Sequence, residues 1–509
     1  MPGTILELSG VDSRDAELLF NWRNDPEIVG LGKTKSPVTW EEHTRWLVSI
    51  LNNPRHLIFK IAIDGSPAGQ VRFDQSGNGD VEVSIYLLAQ HRHRGLGTQA
   101  LKEACWRAFR YFRTSHIVAT VQKANQTSAR LFTAAGFTRQ AATNDEMFDY
   151  WRLQPVPHNR LTIDETYSAA IAATVMSGRW SAGPRVEELE RRLSEMAGVA
   201  TATCVSSGSS ALRLALLSVG VKEGDRVLVP AYSCVALPNA VLACEAIPVP
   251  VDVDPESWQL DPKSAQKAAA KTAPAAIIAV NMFGGSAPID ALKALRVPVI
   301  EDCAHAFGIS VDGRRLGARG DVAIMSFHAT KLIAAGEGGA VLSDSTDVAR
   351  FVRQYRDYAD QPPSRLRQND LMTDLEATLG LCQLKQLDGM IALRQERASR
   401  YLERLSAYAG RTGSFRLPVS DQLHARYRFV IELGSMTAEK AIKELDVFGI
   451  GAAQPVDCWL PITTPDVTVA RRAFKSALSL PLYPTLSFAE LDRVSDALVR
   501  VCESSKAAA

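Results

Sequence analysis

SFHATKLIAAGEGGAV, residues 326–341, closes one apolar strand at Ser326, carries Lys331 in a short loop, turns through 336–339 and enters a second apolar run. Upstream, VPVIEDCAHA (297–306) reads as a buried strand ending in Asp302. A carboxylate at the carboxyl end of a parallel strand stands where open α/β sheets place their ligand contacts. Further upstream, SSGSSAL (206–212) opens a helix with small hydroxyl residues and a glycine. The free amides of a helix N-terminus suit a phosphate. Each piece alone has an ordinary explanation: a strand-end Asp caps a helix, a Ser/Gly turn is an N-cap, and a Lys after a strand is exposed. Their occurrence together, in this order, is the informative observation.

Around these stretches, the short apolar runs RVLVPA, AIIAV, VPVIED and VAIMSF alternate with helical stretches such as 186–196. That pattern predicts a mostly parallel sheet covered by helices, and so the α/β class. The tail from about Gln422 reads as a smaller α+β portion. Pyridoxal phosphate needs a lysine for its Schiff base, donors for its phosphate and an acid facing its pyridinium nitrogen. Lys331, the 206–212 turn and Asp302 offer all three. Paired with the ring nitrogen, Asp302 keeps it protonated and keeps the ring an electron sink.

The first part of the chain alternates differently. Val81, Val83, Ile85 and Leu87 alternate with Glu82, Ser84 and Tyr86, the period of a half-buried strand. Ala100, Leu101, Ala104, Cys105, Ala108 and Phe112 fall on one helical face. Between them, HRHRGLGTQAL (91–101) sets Arg92, Gly95 and Gly97 ahead of the helix. Glycines permit close backbone approach, and the helix N-terminus offers amides to a pyrophosphate. HIVATV (116–121) reads as the next strand and 127–135 as the next helix. RLQPVPHNR (152–160), with two prolines and little apolar character, is the joint. The expected organisation is a domain over 1–152, a linker over 153–163 and a second domain over 164–509.

At 509 residues the chain exceeds what one hydrophobic core supports. Its 57 Lys and Arg against 56 Asp and Glu leave no basic surplus to drive nucleic-acid binding. The start lacks the pattern of a signal peptide, and no apolar run is long enough to span a bilayer. A cytoplasmic location without membrane attachment is the default expectation. The eight cysteines form no Cys-x-x-Cys pair, which points away from a metal site and from a disulfide framework. Most are expected as small buried hydrophobes.

Residues 160–505 resemble the sugar aminotransferases of the DegT/DnrJ/EryC1/StrS type. The resemblance is carried by blocks in order: SGRWSAGPRVEELE, VPAYSCVALPNAV, VDVDPESWQLDP, NMFGG, EDCAHAFG, SFHATK, GEGGAV, NDLMTDLEATLGLCQL and LSLPLYPTL. It implies an aspartate-aminotransferase-like fold of type I, with a large α/β domain and a small C-terminal α+β domain, binding pyridoxal 5'-phosphate. It implies that Lys331 forms the Schiff base and carries a proton between the two carbons, that Asp302 pairs with the ring nitrogen, and that His305 lies near the ring hydroxyl. Ser326, Ser209 and the amides at Gly208 and Ser210 would hold the phosphate. Asn369 would reach it from a neighbouring subunit, so a homodimer is implied. Lys331, where related dehydratases carry a histidine, favours transamination, and His328 reads as packing beside the strand end. There are departures. Cys234 stands where an aromatic residue often stacks on the cofactor ring, with Tyr232 or the thiol itself available for the place. Leu371 replaces an arginine, and RQYRDYAD lacks the usual His-Gly.

HRHRGLGTQAL and NQTSARLFTAAGF (125–137), with the alternating strand before them, resemble the GCN5-related N-acetyltransferase family over about residues 1–152, an α+β domain. That resemblance implies acetyl-CoA, with its pyrophosphate at Arg92, Gly95, Gly97 and Thr98, its pantetheine arm along Ile85 and Leu87, and Asn125 and Ser128 helping to position it. NWRNDPEI (21–28) and EEHTRW (41–46) further resemble acetyltransferases acting on aminated nucleotide sugars; Trp22 and Trp46 are either packing residues or part of that recognition. Phe132 stands where many members have a tyrosine acid. Glu82 is either the polar side of a half-exposed strand or the acceptor of the amine's proton. Together the resemblances imply a bifunctional enzyme. It would transaminate a nucleotide-linked keto-deoxyhexose, of the 4-keto-6-deoxy kind, with L-glutamate as donor, and then N-acetylate the new amine. The alternative is amination alone, with a degenerate N-terminal binding module; Phe132 favours it and the intact 92–97 loop opposes it.

Overall fold

The structure, a computed structural model, describes residues 6–31, 36–92, 94–114, 116–140, 145–359, 362–418, 424–434, 436–461 and 463–507. Gln422, the expected start of the small C-terminal portion, and His93 of the glycine loop lie outside them. The chain divides into two units, Met1–Val156 with Lys443–Gly451, and Pro157–Ile442 with Ala452–Ala509. Among the described residues no helix is long and apolar enough to cross a membrane.

In the first unit the strands are β1 (Leu6–Gly10), β2 (His56–Ile63), β3 (Ser66–Gln75), β4 (Val81–Leu87), β5 (Ile117–Gln122), β6 (Thr138–Arg139) and β7 (Phe148–Leu153). They form one sheet in the order β1-β2-β3-β4-β5-β7-β6. Every neighbouring pair is antiparallel except β4 and β5. A parallel pair needs a crossover, and the helix Leu96–Phe112 supplies it. That helix shares one core with the sheet: Ala100, Leu101, Ala104, Cys105 and Ala108 pack with Val71, Phe73, Val81 and Val83. Phe109 takes the buried place at its end, and Phe112 is only half-buried. β4 and β5 pair only through Val81↔Ile117 and Glu82↔Val118. Among the described residues the rest of β4 has no ladder with β5, so the two strands part beyond that point.

The second unit holds β8 (Thr201–Val205), β9 (Arg226–Pro230), β10 (Ile247–Val251), β11 (Ala276–Val280), β12 (Val299–Asp302), β13 (Ser310–Val311), β14 (Arg314–Arg315), β15 (Val322–Ser326), β16 (Gly339–Ser343), β17 (Phe415–Arg416), β18 (Phe429–Leu433) and β19 (Ala477–Leu480). The main sheet runs β10-β9-β11-β12-β15-β16-β8. The first five are mutually parallel, and β16 is antiparallel to both neighbours. β11 and β12 are buried on both faces, which is why they read as continuous apolar runs. β10 contains Pro248 and Pro250 and lies at the sheet edge, where missing donors are tolerated. The 39-residue helix Asp374–Thr412 starts at a capping box of Thr373 and Glu376 and stops at Gly413, whose φ of 60° suits a residue without Cβ. β17, β18 and β19 form a separate antiparallel sheet.

Candidate active site

β12 and β15 are adjacent and parallel, so their carboxyl ends, Asp302 and Ser326, open on the same edge of the sheet. A cavity of about 420 Å³ lies there. Gly208, Ser209, Cys234, Asp302, His305, Ser326 and Lys331 all line it, together with Tyr427 and Arg428 from the segment leading into β18.

Asp302 is buried. That burial pushes its carboxyl up to about 6, against the pull of an Ala304 N–H at 2.8 Å and the Lys331 charge. An opposing cation would favour the ionised form of such a carboxyl and lower its value again. The preceding Glu301 points the other way, as strand alternation demands. Its carboxylate accepts from Asn281, Arg319 and Gly320 and ties the sheet together.

The helix Gly208–Ser218 meets the end of β15 at close range. A Cβ on Gly208 would lie 2.7 Å from the Ser326 Cβ and 2.9 Å from its Oγ, so only glycine fits. Ser207 caps this helix by accepting the Ser210 N–H at 3.1 Å. Gly208 and Ser209, in the first turn, have no intrahelical acceptor for their amides. Ser210 departs from the expected set. Its amide is taken by the cap, its hydroxyl donates to Asp370 at 2.6 Å, and it does not line the cavity. Asp370 in turn pairs with buried Arg213 at 2.5 Å. Asn369 is exposed and also lies outside the cavity lining.

Lys331 sits in a loop pinned by backbone bonds from Lys331 N–H to His328 O and from Ala335 N–H to Phe327 O, both 2.8 Å. Its Nζ lies 5.5 Å from the centre of the Tyr427 ring. His305 stacks between that ring, at 4.4 Å, and Phe283, at 6.1 Å. Burial, with Lys331 and Arg428 nearby, holds His305 well below the usual imidazole range. Its Nδ1 accepts the Phe283 N–H at 3.4 Å, which leaves the ring proton on Nε2. His328 differs from the packing role expected of it. Phe327 takes the buried position, so His328 turns onto the cavity wall, half-exposed and 4.0 Å from Glu337. Tyr232 does not replace the aromatic expected at Cys234. It is fully buried against Trp258, Phe283 and Phe474, because the turn bonded from Ser233 Oγ to Pro230 O swings it into the core. Cys234 itself is exposed on the cavity, whereas Cys105, Cys204, Cys244, Cys303 and Cys502 are buried.

In the first unit, Gly95 has a φ of 75° and stands at the N-cap of the helix Leu96–Phe112 with no side chain capping it. Its left-handed backbone needs glycine, and the first-turn amides, Thr98 included, are left without a side-chain cap. Gly97 serves packing: a Cβ there would lie 2.9 Å from a Leu131 methyl and 3.3 Å from a Leu87 methyl. Arg92 already donates to Leu87 O at 2.8 Å and to Glu27 at 2.9 Å, bracing the end of β4. Asn125 caps the helix Gln126–Ala134 by accepting the Ser128 N–H at 3.0 Å. Ile85 and Leu87 lie on the diverging part of β4, and Glu82, at the last paired position, accepts from Thr120 Oγ1 at 2.6 Å. Phe132 is core, edge-on to Phe137. Trp22 packs edge-on to Tyr86, and Trp46 is covered by the Arg72 guanidinium. Sequence reasoning passed over Tyr427 and Arg428. Their only local signal is a Tyr-Arg step directly ahead of the apolar run FVI.

A family model described as the DegT/DnrJ/EryC1/StrS aminotransferase family matches residues 161–499, and one described as an acetyltransferase (GNAT) domain matches residues 6–138. GDP-perosamine synthase of Caulobacter vibrioides is 32% identical over 341 residues, which span 63% of this chain and 91% of that protein. The structure of S. venezuelae DesV in complex with a ketimine intermediate matches with a TM-score of 0.61 at 30% identity, covering 66% of this chain and 94% of that one. The structure of DesI in the presence of its TDP-sugar product matches with a TM-score of 0.63 at 25% identity, over 70% and 95% respectively.

Proposed function

The chain belongs to the DegT/DnrJ/EryC1/StrS aminotransferase family and carries a GNAT domain ahead of that region, and from this premise we propose a bifunctional enzyme that aminates a nucleotide-linked keto-deoxyhexose and then N-acetylates the new amine. The aminotransferase region is a pyridoxal-phosphate enzyme of fold type I acting on sugars. The single observation that carries the proposal is the convergence of Lys331, Asp302, Ser326 and the Gly208 turn on one cavity. A 4-keto-6-deoxy sugar as acceptor and L-glutamate as donor are the proposed substrates. The names of GDP-perosamine synthase and of DesI with its TDP-sugar product support a nucleotide-linked sugar.

The cavity fits the cofactor in its donor set: a buried acid, a lysine and an open helix turn that a Cβ would block. Pyridoxal phosphate supplies an aldehyde that condenses with amines and a ring that takes up electron density. Lys331 would hold it and, once displaced by the donor's amine, take a proton from one carbon and return it to the next. Asp302 would keep the ring nitrogen protonated, and His305 would lie near the ring hydroxyl. The amides of Gly208 and Ser209 and the hydroxyls of Ser209 and Ser326 would hold the phosphate. Asn369, being exposed, is free to reach the phosphate of a partner subunit. Exposed Ile163, Met176 and Trp180, close together in sequence, support the homodimer.

For acetyl transfer, the pyrophosphate of acetyl-CoA would sit on the uncapped turn at Gly95–Thr98, braced by Arg92, and the pantetheine arm would enter where β4 leaves β5. Glu82 would take the amine's proton there, and Asn125 would fix the neighbouring helix. The proposed domains are 1–152 and 164–509, with the linker 153–163 between. Phe132 favours a second reading, in which the first domain only binds. Mass spectrometry of products from a panel of nucleotide keto sugars with L-glutamate, with and without acetyl-CoA, decides. An acetylated amino sugar is expected. A free amino sugar under both conditions selects the second reading, and no amino sugar from any acceptor rejects the proposal.

A further inference from the structure

Among the described residues lining the cofactor cavity, Asp302, Glu337 and Asp457 are acidic and Lys331 and Arg428 are the Lys and Arg side chains. Lys331 is assigned to the cofactor. The two substrates that alternate at such a site differ in charge next to the reacting carbon: an α-amino acid carries a carboxylate there, and a keto sugar carries only neutral groups. A site that takes both needs a fixed cation for the first and a neutral partner to satisfy that cation during the second.

We propose that Arg428, backed by the Tyr427 ring, binds the α-carboxylate of the amino donor. This rests on reading the cavity as a transaminase site. Arginine is always charged and presents a planar fork that matches a carboxylate. The guanidinium carbon lies 5.2 Å from the centre of the Tyr427 ring, the same ring that Lys331 Nζ approaches to 5.5 Å. The reacting amine and the carboxylate-binding group therefore flank one aromatic side chain. The face of the Tyr427 ring gives the guanidinium a neutral companion when no carboxylate is present.

The dipeptide is held from several sides. Buried Arg394 donates to Tyr427 O at 3.2 Å and to Leu482 O at 2.8 Å. The Arg428 N–H donates to Phe283 O at 3.4 Å, and His305 stacks on the Tyr427 ring. Burial would push the Tyr427 phenol up, but Lys331 and Arg428 outweigh it and hold the phenol below its ordinary value. That is the sign expected of a pocket suited to an anion.

The test uses full-length holoenzyme, wild type against Arg428→Gln and Arg428→Lys, each checked for an unchanged cofactor spectrum. Three readouts are taken: calorimetric binding of glutarate, which has neither amine nor ketone; the concentration dependence of the spectral change caused by L-glutamate; and the same for L-isoglutamine, whose α-carboxyl is an amide. Wild type should prefer L-glutamate over L-isoglutamine by tenfold or more, about the factor one charged hydrogen bond carries. Arg428→Gln should weaken glutarate and L-glutamate by at least that factor and lose the preference, while binding of the nucleotide-sugar product stays within about twofold. Arg428→Lys should recover part of the loss, and it carries the test if the Gln variant does not fold. Unchanged L-glutamate dependence and preference in the variants would overturn the assignment alone. An equal loss for sugar and amino acid would overturn it too and place Arg428 on the sugar. A wild-type spectrum that no α-amino acid changes would overturn the transaminase reading with it.

Discussion

Asp302→Asn should have opposite effects with and without cofactor, and the size follows from the burial of the side chain. In the cofactor-free fold the acid is lifted from its ordinary 3.8 to about 6, mainly by burial. At about 1.4 kcal/mol per pH unit, the carboxylate is disfavoured by roughly 3 kcal/mol. Because the folded value lies above the unfolded one, the fold carries no penalty below about pH 4, loses stability up to about pH 6 and bears the full penalty beyond. Asparagine is neutral throughout and escapes it, less whatever its own unpartnered amide costs. Cofactor-free Asp302→Asn should therefore match wild type at about pH 4 and unfold several degrees higher at about pH 8. With pyridoxal phosphate bound the order should reverse, since the charged acid then faces a cation. The variant should bind cofactor more weakly and transaminate at least tenfold more slowly, about one charged hydrogen bond's worth. Scanning calorimetry of both proteins, with and without cofactor across that pH range, checks the sign. A difference that does not change with pH in the cofactor-free pair, or a wild type that gains on the variant as pH rises, would refute the reasoning.

Lys331→Ala should abolish transamination while the N-terminal domain still acetylates an amino sugar supplied from outside; product mass spectrometry reads both, and near-wild-type turnover of a keto sugar would remove Lys331 from its role. Gly208→Ala should leave the protein folded but weaken pyridoxal phosphate at least tenfold, because the new Cβ meets Ser326 at 2.7 Å and must push the helix turn away. Equilibrium dialysis of the cofactor measures it. Gly95→Val should suppress CoA release without slowing amination. The site has open space for the side chain, but its φ of 75° costs a branched residue about 1–2 kcal/mol in local strain. Unaltered acetylation in that variant would detach the loop from the cofactor.

Strand ends were legible because burial on both faces writes itself as continuous apolar runs: VIED and VAIMS are strands that end at Asp302 and Ser326. Where burial is uneven the signal fades. β3 buries Ala68, Gly69, Gln70 and Val71 in succession, without the alternation that marks a half-buried strand. β10 hides behind two prolines that only an edge position permits. The cavity was legible as far as local motifs reach, which is Lys331, Asp302 and the Gly208 turn. Tyr427 and Arg428 arrive from about a hundred residues beyond Lys331, held by Arg394 of the long helix, and no short-range spacing encodes that meeting.

The two helix openings show what a glycine motif can and cannot say. At 206–210 the serine ahead of the glycine caps the helix and spends the Ser210 amide, so the amides of Gly208 and Ser209 are the ones left open, and Ser209 and Ser326 line the same cavity. At 92–98 no side chain caps the helix, and Arg92, the obvious cation, is committed to Leu87 O and Glu27. The sequence pattern of Arg92, Gly95 and Gly97 looks like three ligand contacts in a row. Physically it is a brace, a left-handed turn and a packing gap. What remains for a pyrophosphate is the open set of backbone amides and the helix dipole, both sensitive to the placement of the turn. Binding there depends on the conformation of Gly95 more than on any side-chain charge, so a charge-neutral change at Gly95 should harm acetyl-CoA binding more than Arg92→Gln does. Titration of CoA against the two variants, with β4 shown intact in the Arg92 variant, orders them; a larger loss from Arg92→Gln would mean that its guanidinium leaves Glu27 for the pyrophosphate.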